Sequence, residues 1–162
     1  MRTMKNTLFL LAAALTLLAA PGARAEKPIN LSLFTPIQIF DESETISGFR
    51  FNFLYGRQAV MSGFDLGLVN HVKREFLGVQ WGFVNIVEGN SIAWQAGFVN
   101  YNKGKFLGAQ TGAVNYAGTM TGLQFGFVNW AGTMQRGLQI GLANIIEHDG
   151  WLPFMVFVNG KF

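Results

Sequence analysis

From Gly63 onward the chain alternates apolar with polar or small residues in octets that recur along its length. They read GFDLGLVN from Gly63, GVQWGFVN from Gly78, AWQAGFVN from Ala93, GAQTGAVN from Gly108, GLQFGFVN from Gly122 and GLQIGLAN from Gly137. In the octet from Gly122, Leu123, Phe125 and Phe127 point one way, and Gly122, Gln124, Gly126 and Val128 the other. Period-two alternation rich in Phe, Val and Leu predicts a strand. A helix is excluded, because glycines paired four residues apart in five of the six octets would cost roughly 1 kcal/mol each.

The closing asparagines, Asn70, Asn85, Asn100, Asn115, Asn129 and Asn144, recur at steps of 15, 15, 15, 14 and 15 residues. Weaker copies extend both ways: GFRFNFLY from Gly48, LFTPIQIF from Leu33, and LPFMVFVN from Leu152 to Asn159. Nine units result, degenerate at the ends as capping units are. The linking segments have turn compositions, among them Glu88-Gly89-Asn90, Asn102-Lys103-Gly104-Lys105, Ala117-Gly118-Thr119, Ala131-Gly132-Thr133 and His148-Asp149-Gly150. An odd step of 15 would flip the apolar face of an unbroken strand at every unit, so the chain must turn between octets. The expected unit is a strand of about 10–11 residues, such as Thr119 to Asn129, and a turn of about four.

The expected fold class is all-β, made of tandem 15-residue strand-turn repeats. The first arrangement is an antiparallel up-and-down meander or small β-barrel; the alternative is a β-solenoid. In a barrel, Leu, Phe and Ile would face lipid while Gly and Gln lined a narrow, wet lumen. With Phe125 in lipid or core and Gln124 on a wet face, Phe125→Asp is expected to disrupt the fold or insertion and Gln124→Ser to be milder. Phe162, preceded by Phe154, Val156, Val158 and Gly160, resembles the terminal signal of assembled barrels. Short loops and the shared polarity of near-identical strands count against a barrel. A solenoid explains the polarity by stacking Asn on Asn and Phe on Phe, with the apolar rows expected inside. The recurring Gln and Asn stand at equal positions, which suits either hydrogen-bonded ladders or the lining of a wet interior.

Residues 1–25 read as a secretory signal peptide, leaving residues 26–162 as a single β-repeat domain. Arg2 and Lys5 precede the uncharged run Thr7 to Ala20, and Ala23-Arg24-Ala25 fits a small-x-small cleavage site. The run is shorter than the ~20 apolar residues a spanning helix needs. Removing it takes away Arg2, Lys5 and Arg24, so the 9 acidic residues are balanced by as many basic ones. The basic pI therefore gives no support for a nucleic-acid partner. The absence of cysteine excludes disulfides, thiolate metal sites, a thiol nucleophile and a lipoprotein anchor.

The array resembles the bacterial surface-repeat family, exported proteins built on tandem G-x-Q-x-G-[LF]-x-N units. The likeness covers nearly all of residues 26–162, including Leu31-Ser32-Leu33-Phe34 through Phe40 and Trp151-Leu152-Pro153-Phe154. This chain departs from the pattern at Asp65, at Asn52, and in the octet from Gly108, whose apolar face shrinks to Ala109, Thr111 and Ala113. The resemblance implies an exported location, at the outer membrane or cell surface, more than an activity.

No residue set carries catalysis, a cofactor or a metal. His71 and His148 fall in turn-like segments without the spacing of a helical metal pair. Asp65 takes the Gln position, on the wet face, as a hydrated or hydrogen-bonded substitute. Asp41, Glu42 and Glu44 lack the oxygen spacing of a calcium loop. Trp81, Trp94, Tyr101, Tyr116 and Trp130 read as core or interface residues. The expected protein is an exported, non-catalytic β-repeat protein of the outer membrane or cell surface, with outer-membrane lipid as its partner. The alternative is a periplasmic, secreted or surface-attached soluble scaffold that binds a partner.

Overall fold

The computed structural model describes residues 26–162, so the expected signal peptide lies outside the described residues. Every element is a strand: β1 (Lys27–Phe34), β2 (Ile37–Gln38), β3 (Thr45–Val87), β4 (Asn90–Ala96), β5 (Val99–Thr111), β6 (Val114–Phe125), β7 (Val128–His148) and β8 (Phe154–Lys161). Consecutive repeats pair in parallel and in phase: Gln95 lies beside Gln110, Gln110 beside Gln124, and Asn100 beside Asn115. The fold is a β-solenoid of about eight turns. The antiparallel meander and the up-and-down barrel are therefore corrected. Strands of one polarity placed side by side must pair in parallel, and each linking segment returns the chain to the start of the next coil.

Each coil has two strand tracks. In the later coils the longer track runs Ser91–Ala96, Phe106–Thr111 and Met120–Phe125, and the shorter runs Val99–Asn102 and Val114–Ala117. Corners at Gly97-Phe98, Gly112-Ala113 and Gly126-Phe127 separate them. The octet is thus not one strand, as expected, but a strand, a corner and a second strand. The corner shifts the alternation by one, so that Gln124 and Asn129, which a straight strand would point apart, both face the interior.

Two glycine positions make the coil possible. The first glycine of the octet has a φ between 111° and 147° at Gly63, Gly78, Gly108, Gly122 and Gly137, a region L side chains avoid. The second sits against the coil before it. A Cβ on Gly112 would lie 2.0 Å from the Gly97 carbonyl oxygen and 2.7 Å from the Asn100 amide nitrogen. The corner backbone stays paired, with Gly97 N–H donating to Thr111 O at 3.0 Å and Val114 N–H to Phe98 O at 3.0 Å.

The interior has two compartments. Near the linking segments it is apolar, built from Met61, Val72, Phe76, Val87, Phe106, Ala117, Met120, Ala131, Met134 and Ile146. Beside the glycine corner it is polar and dry: Gln80, Gln95, Gln110, Gln124 and Gln139 are 0% exposed, as is every octet-closing Asn from Asn70 to Asn144. The wet lumen that the barrel reading gave the Gly/Gln face is therefore corrected, and of the two arrangements expected for the Gln and Asn rows the hydrogen-bonded ladder is the one present. These amides bond to each other rather than to water.

The ends differ from the expected units. The copy from Leu33 is out of phase. Asn30 lies beside Arg50 and Ser32 beside Asn52, because the segment 35–44, with β2 folded back on β1, lengthens the first coil. The copy from Leu152 is not a coil, since β8 turns back antiparallel along β7, pairing Leu138 with Gly160 and Ile145 with Phe154. An antiparallel last strand covers the stack's edge instead of continuing the template. Phe162 packs its ring 5.2 Å from that of Trp151, and with no barrel to assemble it closes the last turn.

Candidate functional site

The interior decides what the outside must be. Gln139 Nε2 donates to Gln124 Oε1 at 2.7 Å, Gln124 to Gln110 at 2.7 Å, Gln110 to Gln95 at 2.8 Å and Gln95 to Gln80 at 2.8 Å. Gln80 Nε2 then donates to Asp65 Oδ2 at 3.0 Å. A carboxylate only accepts, so it ends this row and sets the direction of every amide in it. The Asn row runs the other way: Asn52 donates to Asn70, Asn70 to Asn85, and so on through Asn129 to Asn144, at 2.8–2.9 Å. The buried acceptors left unpaired, Gln139 Oε1 and Asn52 Oδ1, stand at the starts of the two rows. The two lines of amide dipoles oppose each other.

Second amide protons satisfy the backbone at the corner. Asn100 Nδ2 reaches Thr111 O at 3.0 Å and Gln124 Nε2 reaches Trp130 O at 3.2 Å. Gln124→Ser is thus expected to be the opposite of mild. It strands Gln110 Oε1 and Trp130 O and leaves a hole, for a loss of about 3 kcal/mol, read from urea unfolding.

Asp65 is 0% exposed, with Arg50 Nε at 2.7 Å from Oδ1 and Arg50 Nη2 at 2.6 Å from Oδ2. It is a hydrogen-bonded substitute for Gln, as expected, but not a hydrated one. Arg50 was missed. Its signal was present: Arg50 is the third residue of the octet from Gly48, as Asp65 is of the next, so stacking puts opposite charges together. Asn52, at the second-glycine position, donates to both Asp65 and Asn70. Two of the three departures from the repeat pattern, Asp65 and Asn52, are thus the N-terminal ends of the two amide rows.

With amides inside, the apolar rows lie outside. Leu77, Ile92 and Leu107 are about half exposed, and so are Trp81, Trp94 and Phe125 on the longer track. The corner carries the row Phe53, Leu68, Phe83, Phe98, Phe127 and Leu142, exposed by 48–64%. Ala113 is a notch in that row. Of the two places expected for Trp81, Trp94, Tyr101, Tyr116 and Trp130, core or interface, the core is ruled out. Aromatics stack along the axis on the outside: Phe83 on Phe98 at 5.1 Å, Tyr101 on Tyr116 at 4.9 Å, Tyr116 against Trp130 at 5.9 Å. This is an apolar girdle around both faces and one corner of the coil.

Over the coils from Gly63 to Gly150 the exposed charge lies at the opposite corner. Within the six octets from Gly63 to Asn144 the only charged residue is the buried Asp65. Lys73, Arg74, Glu75, Glu88, Lys103, Lys105, Arg136, Glu147 and Asp149 all lie in linking segments. Along the boundary on the longer track runs a hollow of about 720 Å³, with Glu75, Asn90 and Lys105 among its polar residues and Leu77, Ile92 and Leu107 among its apolar ones. On the shorter track the boundary is aromatic, and Trp130 Nε1 donates to Glu147 Oε1 at 3.0 Å.

His71 is not a solvated loop histidine. Its Nδ1 meets the Tyr55 hydroxyl at 2.8 Å and its Nε2 meets Glu88 Oε1 at 2.7 Å. Burial holds the Tyr55 phenol above its usual range, and the chain of three side chains bridges successive coils. His148 is exposed at the last corner. Among the described residues no three His, Asp or Glu gather as a metal site.

The acidic segment closes the first coil. Asp41 Oδ1 accepts Ser43 N–H at 2.9 Å, a contact that lowers its carboxyl pKa. Glu42 accepts from Arg57 Nε at 2.6 Å and Lys73 Nζ at 3.2 Å. Desolvation raises the Glu42 pKa, but the bonds from Arg57 and Lys73 outweigh it and leave the carboxyl below its usual 4.5. Its stabilisation is complete above the usual value and lost as pH falls through the depressed one. Acidification through that window is expected to speed hydrogen exchange at Ala59, whose N–H donates to Glu42 O, and Glu42→Gln removes this pH dependence. No protein-family model, curated protein or solved structure matches this chain.

Proposed function

We propose that this chain is an exported, non-catalytic structural protein of the outer membrane or cell surface, with lipid covering its apolar girdle. The observation that carries the reading is the inverted partition of side chains. The Gln and Asn rows are buried at 0% exposure, while Trp81, Phe83, Phe98, Phe125 and Phe127 are each more than half exposed. Water penalises so large a continuous apolar surface, and lipid does not. A solenoid suits lipid because its ladders and amide rows satisfy the backbone within the protein, as a nonpolar solvent demands. The signal-like residues 1–25 and the likeness to exported surface-repeat proteins support the location. The engagement of Asp65 and His71 in bonds between coils supports a role without catalysis.

Fractionation tests it. The protein is expected to pellet with outer membranes, to resist carbonate and urea washing, and to need detergent for release. Folded, monodisperse protein recovered from periplasm or medium without detergent would sink the lipid reading and favour a soluble scaffold that binds a partner. Phe125→Asp is expected to fold normally in detergent yet to associate with membranes more weakly by about 1–2 kcal/mol, read from vesicle partitioning.

A further inference from the structure

We propose that the solenoid lies edge-first in a single membrane leaflet, with the glycine corner buried and the charged corner among the headgroups. This rests on the lipid reading above and specifies how the girdle meets the bilayer. Three observations carry it. The first is that the coil has one polar rim. A spanning protein meets water on both sides and needs two, yet all exposed charges from Lys73 to Asp149 sit in the linking segments, and the octets that carry Phe83, Phe98 and Phe127 contain none. The corner row could not meet the far headgroups.

The second is depth. On the longer track the girdle runs from Leu77 to Phe83, about 20 Å at ~3.3 Å per residue. On the shorter track it runs from Phe98 to Tyr101, about 10 Å by the same rise. The mean is near half of the ~30 Å hydrocarbon core. The unequal reach tilts the solenoid about its long axis, the longer face lying deeper.

The third is the boundary itself. Tyr101, Tyr116 and Trp130 form an axial row where the apolar surface meets the charged corner, and Trp130 bonds to Glu147. Aromatics with a polar tip concentrate at the membrane–water interface. On the other face the hollow between Leu77, Ile92, Leu107 and Glu75, Lys105 marks the same waterline.

The test uses the full chain in vesicles whose lipids carry bromine at either a shallow or a deep acyl position. One variant keeps Trp130 as its sole tryptophan. A second replaces all four tryptophans with Phe and carries Phe98→Trp. The expected result is that Trp at 98 is quenched severalfold more by deep bromine and Trp130 more by shallow bromine. Because the chain has no cysteine, Lys103→Cys and Phe98→Cys report sidedness. Lys103→Cys should react with an impermeant thiol reagent from outside, and Phe98→Cys from neither side. Reaction of Phe98→Cys from the vesicle lumen would show spanning and overturn the orientation. Equal shallow quenching at both sites would show adsorption only and overturn it too. Vesicle binding that fails altogether, with Phe98→Cys shielded in a lipid-free oligomer, would overturn the lipid reading itself.

Discussion

Asp65→Ala is expected to cost about 3–5 kcal/mol, the usual penalty for leaving one partner of a buried ion pair alone. The Arg50 guanidinium is 0% exposed and would be left without the carboxylate that now pairs with it. Asn52 Nδ2 and Gln80 Nε2 would lose the acceptor they share, so donors would face each other where one acceptor now gathers them. The loss should be local at first, because each coil touches only its neighbours. Hydrogen exchange should therefore lose protection from Gly48 to Asn70 before it does from Gly122 to Asn144. The double variant Arg50→Gln with Asp65→Gln continues the Gln row by two rungs and is expected to return to within about 1 kcal/mol of the parent. A loss under about 1 kcal/mol for Asp65→Ala alone would show that water reaches the pair.

Gly122→Ala is expected to be as severe, at about 4 kcal/mol, or to prevent folding. Gly122 has a φ of 125°, and a Cβ there would lie 2.0 Å from the Gly108 carbonyl oxygen. Strain at such a φ costs about 1–3 kcal/mol, and the clash with backbone adds to it, since the facing oxygen belongs to the parallel ladder and cannot swing aside. Ala93 supplies the control. It occupies the same octet position yet is not among the residues with positive φ, so Ala93→Gly should change stability by only about 1 kcal/mol. Urea unfolding of the three proteins checks the ranking. Equal effects at the two sites would mean that the φ of the first glycine does not constrain the coil.

Much of this was legible along the chain. The step between asparagines and the alternation within octets follow from local sequence, and they predict strands and turns without any knowledge of what pairs with what. The direction of pairing is different. An octet such as GLQFGFVN has the same alternation whether its neighbour runs parallel or antiparallel, because pairing joins residues 15 apart through space. The shared polarity of the units was the one local hint of a solenoid, and the short loops agreed with it.

Residue chemistry alone misassigned the faces. Phe and Leu ordinarily mark an interior and Gln a wet surface, so the solenoid alternative placed the apolar rows inside, and the barrel reading made the Gln face wet. What reverses this is that identical amides stacked coil upon coil each find a donor and an acceptor in the neighbours. A Gln alone has no such partners, and burying it would cost several kcal/mol. The corner at Gly126 and Phe127 also moves Asn129 to the interior, a shift of parity that no alternating pattern displays. The sequence by itself determined an all-β repeat, its period and its glycine positions, since those depend on backbone geometry and near neighbours. Only the tertiary structure decided parallel stacking, the Arg50–Asp65 end of the Gln row and the apolar exterior. Each of these depends on contacts between residues a full coil apart, whose energies exist only once the coils are stacked.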